Sequence, residues 1–347
     1  MKPAATAQQT RSTDKLRPLR PRLGFVGLGW IGTHRLVAIV RAGVADVIAI
    51  ADPDEQSLIG AVPHVPGACC FTNPAQLVDL NLDGIVIATP SAQHAQQSIA
   101  ALKRHLAVFC QKPLGRNTPE VSAVIDAARS ADRLLGVDLS YRYTEALQKI
   151  RQLVRQNELG EIFAVDLVFH NAYGPQKPWF YDRQKSGGGC IIDLGIHLVD
   201  AALWILDHPI INVSSRLFHQ GERIYDLADV CEDYAVARID LANGTAINLT
   251  CSWHLHAGRD AIIEASFYGT KGGAAMRNIN GSFYDFLAER FNGTSREMLA
   301  EPPDAWFGRA AVEWVRRLAI NRSFDPEIEK TVAVSAVLDS IYENAKL

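Results

Sequence analysis

Three glycines near the start of the chain constrain its fold more than any other feature. They follow an apolar run in the order Gly27-x-Gly29-x-x-Gly32, and a helical pattern of apolar residues comes next. At this spacing the first glycine permits a tight turn, the second lets backbone approach a pyrophosphate and the third lets the helix pack on the strand. The N–H groups of Trp30 and Ile31, at the start of that helix, would face the phosphates. The motif predicts a dinucleotide-binding βαβ unit rather than an ordinary strand, turn and helix.

A carboxylate stands where such a unit needs one. Asp52 ends the second apolar run, twenty residues after Gly32, and would accept hydrogen bonds from the adenosine ribose hydroxyls. No lysine or arginine occurs from 51 to 81, while Asp54 and Glu55 add negative charge. A ribose 2′-phosphate would therefore face carboxylates with no local cation. The sequence favours NAD over NADP as the cofactor.

Composition narrows the class of protein. A chain of 347 residues is long enough for two domains, and its 48% hydrophobic and 21% charged content is typical of a globular protein. The net charge of −3 gives no reason to expect nucleic acid or an anionic membrane as a partner. The six cysteines contain no C-x-x-C pair, which favours reduced thiols in the cytoplasm. Residues 1–21 are predicted to be a disordered extension, with a cloning remnant or an oligomer arm as alternatives.

The order of predicted elements changes after residue 140. Strands and helices alternate over 22–140, which predicts a Rossmann domain with a doubly wound parallel sheet. Residues 141–327 contain longer strands, two of them joined by the hairpin turn Asn243-Gly244, and predict an α+β domain with a large, mostly antiparallel open sheet. Residues 328–345 form an amphipathic last helix that could pack back on the first domain.

Two further stretches carry side chains that could do chemistry. Lys112 follows a predicted strand at the carboxyl edge of the parallel sheet, where ligands of such sheets bind, although a lone lysine there is often a surface residue. Asp193 and His197 are four residues apart and would share a helix face, with Asp200 continuing the row. An imidazole beside a carboxylate makes an oriented general base. The alternative is a carboxylate at a helix start with a core histidine.

The same region contains a run of glycines and several side chains that could bind a metal. Three glycines at 187–189 precede the predicted helix and would let backbone pass close to a flat nicotinamide ring. Asp193, His197, His254 and His256 could ligate a metal, but their spacing matches no strong metal motif, and no metal is predicted.

Together these stretches resemble the Gfo/Idh/MocA oxidoreductases, the family of glucose–fructose oxidoreductase and inositol dehydrogenase. The resemblance runs in family order from about Arg22 to the end of the chain. The motifs on which the resemblance rests are the glycine motif with Asp52, Thr89-Pro90-Ser91-Ala-Gln-His94, Gln111-Lys112-Pro113-Leu114, Tyr141-Arg142-Tyr143 and Gly188-Gly189-x-x-x-Asp193-x-x-x-His197-x-x-Asp200.

The resemblance implies an enzyme, a dehydrogenase acting on CH–OH groups. Hydride would pass between NAD and a secondary alcohol or ketone of a sugar, inositol or related polyol. Lys112, Asp193 and His197 would be catalytic, with His197 moving the proton and Lys112 stabilising the alkoxide. Thr89, Pro90, His94, Gln111 and Lys112 would help to bind the cofactor. Substrate would meet Asp193 and His197, together with Arg142, Tyr173, Trp179, Arg183 and His254. A homodimer or homotetramer is expected, because an open sheet leaves a face that needs covering.

One position departs from the family pattern. Gln111 stands where the family has a glutamate before Lys112, and a neutral amide cannot stabilise the ammonium charge. Reverting Gln111→Glu is therefore expected to move the dependence of activity on pH.

Two other functions remain open on the sequence alone. Some relatives bind the dinucleotide without catalysis and act as regulators, although Lys112, Asp193 and His197 are all retained here. A lyase or glycosidase that keeps NAD bound and returns the hydride is the second alternative, and accumulation of NADH would exclude it as the main activity.

Overall fold

The fold is described by a computed structural model that covers residues 20–226 and 230–345. The predicted disordered extension therefore lies outside the described residues, apart from its last two positions. Two sheets organise the described chain, one parallel with six strands and one largely antiparallel with nine. The predicted fold class is confirmed.

The first sheet has the strand order β3-β2-β1-β4-β5-β6, with every neighbouring pair parallel. The order reverses between β1 and β4, and ligands of such sheets bind beyond the carboxyl ends of the strands at this point. The strands are β1 Arg22–Val26, β2 Asp46–Ala51, β3 Cys69–Phe71, β4 Gly84–Ile87, β5 Ala107–Cys110 and β6 Leu135–Val137. The helices that connect them are α1 Trp30–Ala42, α2 Glu55–Ala61, α3 Ser91–Lys103 and α4 Thr118–Ala131.

Burial on both faces explains why the central strands are apolar throughout. Every residue of β4 and β5 is buried, as expected for parallel strands with helices on both sides. Such runs carry no alternation to mark their ends, so the boundaries come from the flanking turns. The short strand β3 lay in a stretch that the sequence indicated as a loop, because three residues beside proline and glycine give too little pattern.

Helix α8 (Arg309–Ile320) packs against the first sheet although the sequence analysis placed it in the second domain. Its Trp314 ring lies 5.6 Å from the ring of Phe109 on β5. The same indole faces Gly84 and Gly136, where side chains would leave it no room. The chain thus returns to the first sheet after crossing the second, a long-range contact that local pattern does not encode.

The second sheet has the strand order β15-β14-β13-β12-β7-β11-β10-β8-β9. Among the described strand pairs of this second sheet only β7 and β11 run parallel, and the hairpin between β10 and β11 turns at Asn243-Gly244 as predicted. The sequence did not predict β8, β14 or β15, whose exposed positions are rich in polar residues. The strands are β7 Ile162–Asn171, β8 Ile210–His219, β9 Glu222–Arg223, β10 Tyr234–Leu241, β11 Ala246–Ser252, β12 Ala261–Gly269, β13 Gly273–Asn278, β14 Phe286–Asn292 and β15 Ser295–Ala300.

Helices cover one face of this sheet: α5 Glu145–Arg155, the short α6 Arg183–Ser186, α7 Ile196–Leu206 and α9 Lys330–Asn344. The π-helical turn Ile191–Gly195 leads into α7, whose residues are mostly buried. The stretch Arg183–Leu206 is long and apolar enough to span a membrane, but 83% of its most apolar window is buried inside the protein, as in a core helix. Helix α9 contacts α7 and β8, and it also contacts α4 of the first domain, where Thr118 N donates to Asp339 Oδ2 at 2.8 Å.

The close packing of α8 on the sheet makes Gly136 sensitive to substitution. A Cβ at Gly136 would lie 2.6 Å from Trp314 Cδ1 and 3.0 Å from Phe109 Cδ2. We expect Gly136→Ala to lower the free energy of unfolding by about 1–3 kcal/mol, because an overpacked core must shift its rings. Thermal and urea unfolding measure this change. The control is Gly60→Ala, at an exposed helical position with no atom within 4 Å, which should be neutral or stabilising. Equal stability of the two variants would contradict the packing argument.

Candidate active site

The three motif glycines take the roles that their spacing predicts. Gly27 has a φ of +88°, and a Cβ there would lie 2.4 Å from the carbonyl oxygen of Ala88. A Cβ on Gly32 would lie 2.0 Å from the carbonyl oxygen of Gly27, so the helix could not approach the turn. Gly29, by contrast, has no atom within 4 Å of its Cβ position, which leaves space for a ligand beside the backbone.

Asp52 lies just after β2 and accepts hydrogen bonds from the backbone of this turn. Its Oδ2 accepts from Leu28 N at 2.6 Å and its Oδ1 accepts from Asp54 N at 2.9 Å, and the residue is 8% exposed. The carboxylate therefore fixes the glycine loop, and its role at the ribose stays a prediction.

The start of α1 fits a pyrophosphate. No side chain caps this helix end, and its first turn holds no acidic residue, so the N–H groups of Trp30 and Ile31 have no competing anion from their own helix. The helix dipole adds a partial positive charge at this end. Together with the open space at Gly29, these donors suit the phosphates of a dinucleotide.

The predicted residues Thr89 and Pro90 lie in the loop after β4, and His94 lies in the first turn of α3. Thr89 Oγ1 donates to Gln97 Oε1 at 2.7 Å. The buried His94 ring lies between two carbonyl oxygens, 2.7 Å from that of Pro113 and 2.6 Å from that of Thr89. Burial lowers the pKa of His94, so the ring carries one N–H and donates to one of these carbonyls. His94 thus lies between the loops that follow β4 and β5, and both of its nitrogens face protein carbonyl oxygens.

Gln111 belongs to a buried polar cluster that the sequence did not indicate. Its amide Nε2 donates to Asp138 Oδ2, and Arg35 Nε donates to the same oxygen at 2.5 Å. Arg35 and Asp138 are both 1% exposed, and the guanidinium lies 4.2 Å from the centre of the Phe307 ring. The amide therefore faces the carboxylate of Asp138, and the expected effect of Gln111→Glu on the pH dependence of activity stays a prediction. A glutamate at 111 would put two carboxylates in contact.

Lys112 contacts the second domain. Its Nζ donates to Asp193 Oδ1 at 2.8 Å and to the Asp193 carbonyl oxygen at 2.6 Å, and both side chains are less than one-fifth exposed. Trp253 Nε1 donates to the other carboxylate oxygen of Asp193 at 3.2 Å. The π-helical turn at Ile191–Gly195 presents both acceptors of Asp193 to the ammonium. The ammonium, at the edge of the first sheet, thus donates to two acceptors on one residue of the second domain.

His197 lies in the same region, buried at the start of α7. Its ring centre is 4.7 Å from that of Tyr141, and its Nδ1 has no hydrogen-bond partner among the described residues. Burial lowers the pKa of His197 well below its usual value, and the charges of Lys112 and Arg35 lower it further. The imidazole is therefore neutral near pH 7 and able to accept a proton.

The expected row of Asp193, His197 and Asp200 does not form one cluster. The side-chain hydrogen bonds of Asp193 within the described chain go to Lys112 and Trp253 rather than to His197. Asp200 pairs instead with Arg142, whose Nε donates to Asp200 Oδ2 at 2.7 Å. The π-helical turn rotates the helix relative to a regular i, i+4 spacing. Arg142, expected at the substrate, is thus engaged by a carboxylate that is 1% exposed.

The glycine run at 187–189 packs against protein. A Cβ on Gly188 would lie 1.9 Å from Tyr342 Oη, and one on Gly189 would lie 1.9 Å from the Glu232 carbonyl oxygen. The fully buried Glu232 carboxylate accepts from Gly189 N, Ile191 N and Tyr342 Oη, each at 2.9 Å. Glycine is therefore required at 188 and 189 so that Tyr342 of α9 and the segment before β10 can pack here, and the approach of a nicotinamide to this backbone stays a prediction.

The remaining residues expected at the substrate are dispersed around the site. Tyr173 is exposed and donates from Oη to Asp260 Oδ1 at 2.6 Å, and the Trp179 ring stacks on Phe180 at 3.8 Å. The guanidinium of Arg183 lies 4.5 Å from the centre of the Tyr342 ring. His254 Nε2 lies 3.2 Å from Tyr181 Oη. Within residues 20–226 and 230–345, no three His, Cys, Asp or Glu side chains come together as a metal site.

Four side chains near the site were missed by the sequence analysis: Arg35, Asp138, Glu232 and Trp253. Two of them had a detectable signal. Asp138 and Trp253 each end a predicted strand, which is the same kind of position that indicated Asp52 and Lys112. Arg35 and Glu232 gave no such signal, because their partners are 103 and 43 residues away.

Comparison with family models identifies the chain. A model described as the NAD-binding Rossmann fold of an oxidoreductase family matches residues 21–139. A model of the GFO/IDH/MocA C-terminal domain matches residues 147–275. The two matches cover more than half of the chain, and the chain belongs to the Gfo/Idh/MocA oxidoreductase family.

Curated relatives include sugar and inositol dehydrogenases. The chain is 29% identical over 316 residues to a putative UDP-kanosamine synthase oxidoreductase subunit of Amycolatopsis mediterranei, with 86% of each chain covered. It is 26% identical to D-glucoside 3-dehydrogenase of Escherichia coli, with 74% of this chain and 76% of the relative covered. Myo-inositol 2-dehydrogenase of Thermotoga maritima is 26% identical, with 74% and 75% covered.

Solved structures share the fold. Levoglucosan dehydrogenase, in complex with NADH and L-sorbose, has a TM-score of 0.79 at 19% identity, covering 94% of this chain and 97% of that chain. KijD10, a 3-ketoreductase from Actinomadura kijaniata in complex with NADP, has a TM-score of 0.79 at 18% identity, covering 94% and 98%. Complexes with both cofactors thus occur on this fold.

The buried contact between Gln111 and Asp138 gives a first prediction for the site. We expect Gln111→Glu to destabilise the protein by about 1–3 kcal/mol at pH 8, because two carboxylates would share a buried position. Burial and Asp138 would raise the pKa of the new glutamate in the folded state. The penalty is therefore complete above that raised pKa and fades as the pH falls toward about 4.3, the unfolded value. Unfolding at pH 5 and pH 8 measures it, with the exposed Gln152→Glu as the control. Unchanged stability at pH 8 would contradict the cluster.

The electrostatics of His197 give a second prediction. We expect its ring to remain neutral at pH 6.5, where an exposed histidine is half protonated. Replacing Lys112→Met removes a nearby cation and should raise the pKa of His197, while the exposed Lys149→Met should not. NMR titration of the histidine ring protons, assigned with His197→Asn, measures both effects. Titration of His197 at or above about 6.5 in the unsubstituted protein would contradict its burial beside a cation.

Proposed function

We propose that this protein transfers hydride between NAD and a secondary alcohol or ketone of a sugar, inositol or related polyol. One observation carries the proposal: an ammonium held by Asp193 and a buried neutral imidazole lie together at the carboxyl edge of the nucleotide-binding sheet. Family membership and the sugar and inositol dehydrogenases among the relatives support the substrate class.

The chain's own residues would hold the cofactor in a defined way. The glycine turn and the first N–H groups of α1 would bind the pyrophosphate, and Asp52 would accept from the adenosine ribose. The loop at Thr89 and Pro90 would border the nicotinamide end. A bound nicotinamide supplies the hydride acceptor or donor.

The protein then supplies the proton transfer and the charge stabilisation. His197, neutral and desolvated, accepts the proton of the substrate hydroxyl during oxidation and returns it during reduction. Lys112 places its ammonium where negative charge develops on the substrate oxygen. Asp193 fixes that ammonium and remains a carboxylate that can accept from a neighbouring substrate hydroxyl.

NAD is proposed over NADP from the charges around the ribose position. Asp52, Asp54 and Glu55 surround the end of β2, and a 2′-phosphate there would meet three carboxylates. The pKa of Asp54 is lowered chiefly by the hydrogen bond from Ser57, and Lys177 of the second domain makes only the smallest contribution. The positive charge of Lys177 would favour a 2′-phosphate and so opposes the preference for NAD.

We further propose a homodimer or homotetramer located in the cytoplasm. The proposal for assembly rests on the face of the nine-stranded sheet away from the helices, where Val236 of β10 is exposed. The proposal for location rests on cysteines that are all unpaired in the described chain, as expected in a reducing compartment.

A substrate screen tests the proposed reaction. Purified protein with NAD or NADP is assayed against sugars, glycosides, inositols and sugar acids, with formation of NADH or NADPH as the readout. We expect kcat/KM to be at least tenfold higher with NAD. Lys112→Met and His197→Asn should each lower kcat by about 10²–10⁴, because each removes a group that acts in the transition state. Lys149→Met serves as the control.

Two outcomes would overturn the assignment. Turnover that survives both Lys112→Met and His197→Asn would remove these residues from the reaction. Product formation without NADH accumulation would indicate instead that the hydride returns to the product.

A further inference from the structure

A cleft of about 750 Å³ opens in the second domain, and Trp253 of its wall contacts Asp193. Its walls come from the ends of β8 and β10 and from the segment that follows β11. Clefts that bind drug-sized molecules measure roughly 300–1,000 Å³, so this one has room for more than a single sugar ring.

The cleft is connected to Asp193 through two aromatic residues of its wall. Trp253 donates from its indole to Asp193 Oδ2 at 3.2 Å. The Tyr181 ring packs edge-on against that indole, with centroids 5.5 Å apart. Burial raises the pKa of Tyr181, and the nearby charge of Asp193 adds to the shift. A molecule with one ring at Asp193 would therefore project its remainder along Tyr181 and Trp253 into the cleft.

The wall combines ring faces with hydrogen-bonding groups. Tyr181, Tyr234 and Trp253 supply aromatic surface, and His254 lies nearly parallel to Tyr181 with centroids 6.3 Å apart. His254 and His256 are exposed at the rim. Sugar rings present C–H groups on one face and hydroxyls at their edges, and such surfaces fit aromatic faces bordered by imidazoles.

The charge of the wall argues against phosphate groups. Of the described residues that line the cleft, none is a lysine or arginine, and Asp233 contributes a carboxylate. Its Oδ2 accepts from Gln220 N at 2.8 Å, which fixes it in the wall. A phosphate or nucleoside diphosphate would meet this negative charge without a permanent cation to offset it, whereas hydroxyls can donate to it.

We propose that this cleft binds the second ring or uncharged aglycone of a glycoside whose first ring is oxidised at His197. The substrates are then neutral glycosides or disaccharides rather than sugar phosphates or nucleotide sugars. This inference rests on the proposed oxidation of a sugar, and it adds the chemical class of the complete substrate.

Binding and turnover are measured separately. Sugar affinity therefore tests the cleft even if the proposed reaction does not occur. Calorimetry with protein and NADH compares glucose, methyl glucoside, cellobiose, maltose, lactose, trehalose, glucose 6-phosphate and UDP-glucose. At least one of the disaccharides should bind about tenfold more tightly than glucose, and the two phosphate-bearing compounds should bind no better than glucose. The turnover arm, with NAD and the same sugars, tests the proposed reaction independently.

Two variants test whether the tighter binding of disaccharides depends on the cleft. Tyr181→Ala removes an aromatic face, and His256→Ala removes a donor at the rim. Each should lower the ratio of disaccharide to glucose affinity by about three- to tenfold. The matched control is His64→Ala, an exposed histidine of the first domain, which should leave the ratio unchanged. Thermal unfolding of every variant verifies the fold.

Three results would overturn the proposal. Tighter binding of glucose 6-phosphate or UDP-glucose than of every disaccharide would assign an anionic substrate. Equal affinity for glucose and all disaccharides would show that the second ring makes no contact. A preference for disaccharides that neither Tyr181→Ala nor His256→Ala reduces would place the second ring elsewhere.

Discussion

The ion pair between Lys112 and Asp193 links the two sheets of this protein at the place where chemistry is proposed. Lys112 lies in the loop that follows β5, and Asp193 belongs to the π-helical turn before α7. Their contact therefore holds the second domain against the carboxyl edge of the first sheet. Both side chains are largely buried, and an ammonium in that position needs a partner to offset its desolvation. Asp193 offers a carboxylate and a backbone carbonyl, and Trp253 holds the other carboxylate oxygen. The geometry of the ammonium is thus set by groups that are themselves hydrogen-bonded.

Buried charge determines the state of the imidazole next to it. His197 loses its hydration without gaining a carboxylate, and it lies near two cations, one of them Arg35. Asp138 pairs with Arg35 in the core, and Gln111 completes that cluster as a neutral donor. An amide at 111 is therefore consistent with the cluster, since Asp138 already supplies the negative charge. The glutamine at 111 thus fits a cluster in which one cation, Arg35, already has one carboxylate partner, Asp138.

Packing accounts for the need for glycine before α7. Their backbone lies against Tyr342 of the last helix and against Glu232, and the buried carboxylate of Glu232 satisfies N–H groups that the turn would otherwise leave unpaired. Because buried N–H groups need acceptors, this arrangement stabilises the segment that carries Asp193 and His197. The C-terminal helix α9 thereby supports the site without reaching it.

The amino-acid sequence by itself determined the nucleotide-binding half of the site. The glycine motif, Asp52 and the strand ends before Thr89 and Lys112 are local patterns, since each depends on a turn and on the strand beside it. The doubly wound sheet, the Asn243-Gly244 hairpin and the family resemblance follow from such patterns. Only the tertiary structure decided which partners the charged side chains take. Arg35 with Asp138, Arg142 with Asp200, and Glu232 with the glycine run pair across 43 to 103 residues. Spacing along a helix or strand cannot encode such contacts, because they depend on how the two sheets and the returning helices α8 and α9 pack together.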